Sequence, residues 1–210
     1  GLILAGGSGS RLFPFTNFTH KTLLPLYDRP VIDYALSTMR RAGIKDITIV
    51  ANKHIIQISE HIGSGIEGEQ IHYVLEETPR GVSGALKLAR SQLEGRKVLL
   101  YFSDNITSWD FANDVSNYNK SESPHGAVLL LRQVEDPGSF GVCIMDENQR
   151  IVDIVEKPED SGSRLAVGGI YLFDETFYER FDTVSENNDF SISDITRQYV
   201  MEGSANVREI

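Results

Sequence analysis

The chain has 210 residues, of which 40% are hydrophobic, and it carries a formal net charge of −10. This length and composition are typical of a globular α/β domain and argue against a disordered chain. The acidic balance argues against a nucleic-acid-binding protein, so an anionic ligand would need positive charge concentrated at its own site. The single cysteine, Cys143, cannot form an internal disulfide, and no apolar run approaches the length of a membrane span. With no recognisable signal peptide, we expect a cytoplasmic protein that contacts neither membrane nor nucleic acid.

Hydrophobic periodicity predicts alternating strands and helices in the first half of the chain. In chain order we expect a strand at Leu2–Ala5, a helix at Val31–Ala42, a strand at Asp46–Asn52, a helix at Ile55–Ile62, a strand at Ile71–Leu75, a helix at Val82–Leu93, a strand at Val98–Phe102, a helix around Phe111–Tyr118 and a strand at Ala127–Val134. This alternation predicts an α/β fold with a Rossmann-like, doubly wound, mostly parallel sheet.

The second half changes character, because its predicted strands follow one another through short connections. We expect strands at Val142–Met145, Ile151–Glu156 and Gly169–Phe173, helices at Glu175–Phe181 and Ser191–Met201, and a last strand from Val207. We interpret residues 1–210 as one domain, with a doubly wound part over about 1–125 and added antiparallel strands forming a second lobe over about 126–210. Both termini are expected to be truncated, since the chain begins and ends within predicted strands.

A glycine-rich segment, Gly6–Leu12, follows the first strand and is the strongest indication of function. Glycines let backbone N–H groups approach a phosphate chain closely, and Arg11 and Lys21 would supply positive charge. The segment lacks the Lys-Ser/Thr pair of a Walker loop, and Leu12 stands where a dinucleotide-binding loop has its third glycine. A glycine turn without a ligand remains the alternative for the loop alone, but Arg11, Pro14, Lys21 and Pro25 at these spacings argue against it.

Ligands of open α/β sheets bind at the carboxyl ends of the strands. This rule selects the glycine loop, the segment Glu76–Gly84 and the residues Ser103–Asn105. Asp104, directly after a buried strand, is suited to hold Mg²⁺ against phosphates, although from position alone an Asp turn or a helix cap fits as well. The five histidines are scattered, and we assign them no chemistry.

Several motifs occur together in a fixed order over nearly the whole chain. They are Leu4–Pro14, Lys21–Pro25, Asp28–Ile32, Ser103–Ile106, Asp136–Val142, Val155–Pro158, Gly169–Asp174 and Ser193–Ile195. On these motifs the chain resembles the sugar-1-phosphate nucleotidylyltransferases, and within them most the short-form glucose-1-phosphate thymidylyltransferases. The resemblance implies the nucleotide-diphospho-sugar transferase type of fold, with a nucleotide-binding part over about 1–125 and a sugar-binding lobe over about 126–210.

The resemblance also implies a Mg²⁺-dependent reaction. A nucleotidyl group would pass from a nucleoside triphosphate, dTTP in the first instance, to a sugar 1-phosphate such as glucose 1-phosphate, releasing pyrophosphate. The implied catalytic residues are Arg11, Lys21, Asp104 and Lys157, with Asp104 as metal ligand; the implied nucleotide-binding residues are Leu4, Ala5, Gly6, Gly7, Gly9, Ser10, Arg11, Glu76 and Gly81; and the implied sugar-phosphate-binding residues are Gly141, Glu156, Lys157 and Gly168. The resemblance further implies a homo-oligomer.

Three departures from the family pattern leave alternatives open. Glu76 stands where thymidylyltransferases usually carry a glutamine that pairs with the base, and a carboxylate suits guanine's adjacent N–H donors better. Ser103 replaces a usual glycine, and the family's second metal-binding aspartate would lie beyond the end of this chain. Asp189 and Asp194 are not expected to substitute for it, since Asp194 fits the Ser191-led start of a helix. Guanylyl or uridylyl transfer, or a non-catalytic homologue that binds nucleotide sugars, therefore remain alternatives, whereas Leu12 argues against a nicotinamide oxidoreductase.

Overall fold

The computed structural model describes residues 1–120, 126–159, 162–185 and 190–210. These residues form two compact units. The first comprises Gly1–Gln92 with Leu99–Lys120, and the second comprises Leu93–Val98 with the described residues from position 126 onward. His125 and Asp189, both considered above, lie outside the described residues.

The first unit alternates strands and helices, as predicted. Its elements are β1 (Leu2–Ala5), β2 (Pro25–Leu26), β3 (Arg29–Pro30), α1 (Val31–Arg41), β4 (Asp46–Ala51), α2 (Ile55–Ile62), β5 (Gln70–Leu75), α3 (Gly81–Leu93), β6 (Val98–Phe102) and α4 (Ala112–Lys120). The neighbouring strands β6, β1, β4 and β5 are parallel, in that order, whereas β2 and β3 form a separate short hairpin. The carboxyl ends of these parallel strands therefore lie along one edge of the sheet.

Local sequence explains these elements. All four residues of β1 are buried, as expected of a continuous apolar run inside a parallel sheet. Helix α1 buries Ile32, Ala35, Leu36 and Met39 on one side, which is the period of an amphipathic helix. Gly43 follows the helix with a φ of 76°, a conformation that glycine adopts without steric cost.

The second unit is built mainly from antiparallel strands. Its elements are β7 (Ala127–Gln133), β8 (Gly141–Met145), β9 (Ile151–Glu156), β10 (Leu165–Phe173), α5 (Phe177–Ser185), α6 (Ile192–Met201) and β11 (Ala205–Glu209). Strand β10 is antiparallel to both β7 and β8, β8 is antiparallel to β9, and β11 runs parallel to β7. The predicted α/β class, with a mostly parallel sheet and added antiparallel strands, is confirmed.

Several element boundaries differ from those predicted, and two of the differences have a local physical cause. Strand β10 begins at Leu165 rather than Gly169, because a register shift between Val167 and Tyr171 carries the two glycines inside the strand. Helix α5 begins at Phe177 rather than Glu175, because the Asp174 carboxylate accepts a hydrogen bond from the Thr176 backbone N–H and holds the preceding residues in a turn. Across the described part of the chain, no helix has the length and apolar content required to cross a membrane.

Candidate active site

A cavity of about 310 Å³ opens at the carboxyl edge of the parallel strands in the first unit. It is lined by Leu4, Gly6, Gly7, Ser8, Lys21, Glu76, Pro79, Gly81, Val82, Ala85, Phe102 and Asp104. Its volume is within the range of small-molecule sites. The structure thus brings the glycine loop, the segment after β5 and the residue after β6 to one place.

The glycines of the loop make room for neighbouring functional side chains. A Cβ atom on Gly6 would lie 2.5 Å from Glu76 Oε2, and one on Gly7 would lie 3.0 Å from Lys21 Nζ. Gly9 has a φ of 66°, and its carbonyl oxygen accepts a hydrogen bond from Thr16 Oγ1 at 3.0 Å. A larger residue at Gly6 would displace Glu76, so the glycine loop and the Glu76 carboxylate pack directly against each other.

Lys21 and Asp104 form an ion pair inside the cavity. Lys21 Nζ lies 2.6 Å from Asp104 Oδ2, and the two side chains are 19% and 56% exposed. Partly exposed ion pairs of this kind contribute roughly 0.2–1 kcal/mol. Because the pair is weak, both groups remain available to an anionic ligand and its counterion.

Glu76 is buried in the cavity wall, with only 3% of its surface exposed. Its Oε1 accepts a hydrogen bond from the Arg80 backbone N–H at 3.1 Å. Carboxylate oxygens accept hydrogen bonds, so this part of the wall offers acceptor atoms to a ligand.

The other nucleotide-binding candidates differ in position. Leu4 lines the cavity, and Ala5 is the last residue of β1. Gly81 lines the cavity with a φ of 72°. Ser10 and Arg11 lie exposed on a 3₁₀ turn and do not line the cavity, so the structure does not bring Arg11 to Lys21 and Asp104.

The sugar-phosphate candidates lie in the second unit, at the start of β8 and the end of β9. Gly141 is paired with Glu156 across the two strands, and the Lys157 backbone N–H donates to the Phe140 carbonyl at 2.8 Å. Lys157 has a φ of 44°, which is uncommon for a residue with a side chain. Gly168, within β10, faces the Leu130 carbonyl oxygen, which a Cβ would meet at 3.4 Å.

Glu156 is held by a neighbour that the sequence analysis did not assign a role. Ser193, near the start of α6, donates its hydroxyl to Glu156 Oε2 at 2.5 Å. A Cβ on Gly141 would lie 2.6 Å from Ser193 Oγ, so only glycine leaves this contact undisturbed. Burial raises the pKa of Tyr171, and the negative charge of Glu156 raises it further.

Asp194 has the local role that was expected of it. The Ser191 backbone N–H donates to Asp194 Oδ2 at 2.7 Å, and the Asp194 backbone N–H donates to the Ser191 carbonyl. This arrangement caps the start of α6, so Asp194 is engaged in the helix rather than in the cavity.

The described residues contain no cluster of three or more His, Cys, Asp or Glu side chains able to enclose a metal ion. Asp104 nevertheless suits Mg²⁺, which is usually bound by one or two carboxylates together with waters and substrate phosphates. Its half-exposed carboxylate at the wall of the cavity therefore fits an ion brought in with a nucleotide.

Two residues of structural importance were missed by the sequence analysis: His20 and Ser193. His20, to which no chemistry was assigned, is buried between β1 and the turn that carries Lys21. Its position directly before Lys21 was the available signal, but burial could not be read from a histidine among polar residues. Cys143 is buried in β8, as expected of a core residue, and burial raises the pKa of its thiol to about 12.

Comparison with known proteins identifies relatives over nearly the whole length. The chain is 35% identical to a glucose-1-phosphate thymidylyltransferase of Neisseria meningitidis, covering 99% of this chain and 73% of the relative. It is 34% identical to the enzyme of the same name from Xanthomonas campestris pv. campestris, covering all of this chain and 72% of the relative. The sequence identity therefore extends over the whole chain and is not confined to one motif.

Solved structures of similar proteins superpose on this chain. A structure from Bacillus anthracis assigned as a glucose-1-phosphate thymidylyltransferase superposes with a TM-score of 0.90 at 34% identity, covering all of this chain and 86% of that one. A UDP-glucose pyrophosphorylase superposes with a TM-score of 0.82 at 23% identity, covering 96% of this chain and 86% of that one, and so shares the nucleotide-diphospho-sugar transferase fold. The family model for nucleotidyl transferases matches residues 1–209. The chain therefore belongs to the nucleotidyl transferase family.

Proposed function

We propose that the protein transfers a nucleotidyl group from dTTP to glucose 1-phosphate, giving dTDP-glucose and pyrophosphate. The observation that carries the proposal is the cavity in which Gly6, Gly7, Lys21 and Asp104 converge, in a chain of this family. The names of its relatives support the choice of substrates.

The reaction needs positioning and charge neutralisation rather than a covalent intermediate. An oxygen of the sugar phosphate attacks the α-phosphorus of the triphosphate, and the bond from that phosphorus to the bridging oxygen of the β-phosphate breaks. The electron pair leaves with pyrophosphate. No proton has to be removed from the attacking oxygen, because a phosphate monoester is already ionised at neutral pH.

The residues of the first unit would bind and orient the triphosphate. The backbone of Gly6 and Gly7 lines the cavity closely enough to contact the nucleotide, and Lys21 Nζ supplies a mobile positive charge. Asp104 would hold Mg²⁺, which neutralises phosphate charge when it is bound. Arg11, on the exposed turn after the loop, would contact the outer phosphates after a side-chain movement.

The residues of the second unit would bind the sugar phosphate. Glu156, fixed by Ser193, offers its other carboxylate oxygen to sugar hydroxyls, and Lys157 offers an ammonium group to the phosphate. Lys157 Nζ lies 3.8 Å from Glu156 Oε1. Such a loose contact between exposed groups costs little to break when a ligand binds.

A specific observation favours guanylyl transfer as a second candidate. The buried Glu76 carboxylate can accept from the two adjacent N–H donors of guanine, whereas thymine offers one N–H donor flanked by carbonyl oxygens. Thymine would place its carbonyl oxygens against this carboxylate, and it would lose the hydrogen bonds that a glutamine amide could donate to them.

Pyrophosphate release tests both candidates. The purified protein is incubated with Mg²⁺ and each pairing of dTTP, UTP or GTP with glucose 1-phosphate or mannose 1-phosphate, and the nucleotide sugar is identified. Turnover with dTTP and glucose 1-phosphate is expected. Turnover with GTP and mannose 1-phosphate but not dTTP would replace the thymidylyl assignment with the guanylyl one. Nucleotide binding without turnover for any pair would favour the non-catalytic homologue.

A further inference from the structure

Two walls of the nucleotide cavity come from separate segments of the first unit. One wall is the end of β1 with Gly6 and Gly7, and the other is the 3₁₀ turn Lys21–Leu23, which carries the Lys21 ammonium. Lys21 Nζ lies so near the loop that a Cβ on Gly7 would be 3.0 Å away from it. Any movement of the turn relative to β1 would therefore move the lysine against the loop.

The buried side chain of His20 connects these two walls. His20 is 1% exposed, its Nε2 lies 2.6 Å from the Ala5 carbonyl oxygen, and its Nδ1 lies 3.2 Å from the Thr22 backbone nitrogen and 2.7 Å from Thr22 Oγ1. A carbonyl oxygen can only accept, so Nε2 must carry the proton. Nδ1 is then an acceptor and caps the first turn N–H of the Lys21 segment.

The surroundings of the imidazole favour this neutral tautomer. The pKa of His20 is lowered to about 4, chiefly by burial and also by the charges of Lys21 and His54, against the raising effects of its hydrogen bond to Ala5 and of Asp104. The backbone of His20 is also fixed, since its N–H donates to Gln57 Oε1 at 3.3 Å. The imidazole is thus held from its own backbone and at both ring nitrogens.

We propose that His20 is a positioning residue of the nucleotide site: its imidazole joins the end of β1 to the turn of Lys21 and fixes the lysine against the glycine loop. This inference rests on the proposed function of the cavity. Without the imidazole, the Ala5 carbonyl and the Thr22 N–H lose their shared partner, and the turn is free to shift.

The test uses three variants of the full chain. His20→Ala removes both contacts, His20→Asn keeps an acceptor near Nδ1 for the Thr22 N–H, and His20→Gln reaches towards Ala5 with an amide donor. We expect His20→Ala to lower kcat/KM for the nucleoside triphosphate by about 10- to 100-fold, since misplacement of a reacting group by about 1 Å has effects of that size. The KM for the sugar 1-phosphate should be unchanged, and the Asn and Gln variants should each recover part of the loss.

His61→Asn is the matched control, because His61 is an exposed histidine of the same unit that pairs with Asp33 and does not line the cavity. It should leave both kinetic constants unchanged. If His20→Ala lowered the melting temperature but left kcat and both KM values of the folded enzyme intact, the role would be structural only and the proposal wrong.

Nuclear magnetic resonance separates this inference from the proposed function. If the wild type turned over no substrate pair, the proposed function would fail, yet the imidazole ¹⁵N shifts would still report the tautomer. An Nε2-protonated ring in the wild type, with shifted amide signals of Gly6, Gly7 and Lys21 in His20→Ala, supports the bridge. An Nδ1-protonated ring, or unchanged amide signals, contradicts it.

Discussion

The two units assemble their candidate residues by different physical means. In the first unit, residues distant in sequence meet because parallel strands end at one edge of the sheet, as Gly6, Glu76 and Asp104 do after β1, β5 and β6. In the second unit, Gly141 and Glu156 meet because they are paired across an antiparallel ladder. A topology rule therefore locates the first set, whereas the second set depends on strand register and on one side chain of α6.

The largest effect on activity is expected from changes to the Lys21–Asp104 ion pair of the first unit. Lys21→Met or Asp104→Asn should lower kcat by about 100- to 1,000-fold, since each removes a charged group aimed at the reacting phosphates. Stability should change by only about 1 kcal/mol, because the pair is partly exposed. Pyrophosphate release and thermal melting measure the two quantities.

Lys45→Met is the control for this pair, since Lys45 is an exposed lysine of the same unit that does not line the cavity. It should retain wild-type activity. If the Lys21→Met variant kept the wild-type kcat, Lys21 would take no part in the reaction.

Acid should destabilise the protein through the first unit. The folded state keeps the His20 pKa at about 4, below its ordinary 6.5, so only the unfolded chain binds this proton between those pH values. The contribution of His20 to the free energy of unfolding is therefore fully present above pH 6.5. It decreases by about 3 kcal/mol as the pH drops from 6.5 towards 4. In the second unit the buried thiol of Cys143, with a pKa of about 12, does not titrate in this window.

Urea unfolding of the wild type and His20→Asn at pH 7 and pH 4 measures this difference. The wild type should lose about 3 kcal/mol more than the variant between the two pH values. Equal losses would mean that the acid sensitivity arises elsewhere.

Much of the first site could be predicted from sequence, and less of the second. The strand ends and the glycine loop carry their own local signals, and the elements β1, α2, β6 and β9 were predicted with their observed bounds. The role of His20 could not be predicted, because burial of a polar ring depends on how the Lys21 turn packs on β1. The contact of Ser193 with Glu156 depends on packing between α6 and β9, which no local pattern encodes.

Glu76 tests which base the first unit prefers. Glu76→Gln should raise kcat/KM for dTTP relative to GTP by about 10- to 100-fold, because an amide can both donate to a thymine carbonyl and accept from its N–H. The fold should tolerate the change, since Oε1 keeps its hydrogen bond from Arg80. Competition between the two triphosphates at fixed sugar phosphate measures the ratio. An unchanged ratio would show that Glu76 does not contact the base.

The smallest effect is expected at Ser193, and it isolates the second unit. Ser193→Ala removes the hydrogen bond to Glu156 Oε2, so the carboxylate is less well fixed and the KM for the sugar 1-phosphate should rise by about 5- to 10-fold. Ser193→Thr keeps the hydroxyl and should restore most of the affinity. The KM for the triphosphate should not change in either variant, because Ser193 and Glu156 belong to the second unit and the nucleotide cavity is lined entirely by the first. A rise in the KM for the triphosphate as well would show that the two sets of residues do not divide the substrates between them in this way.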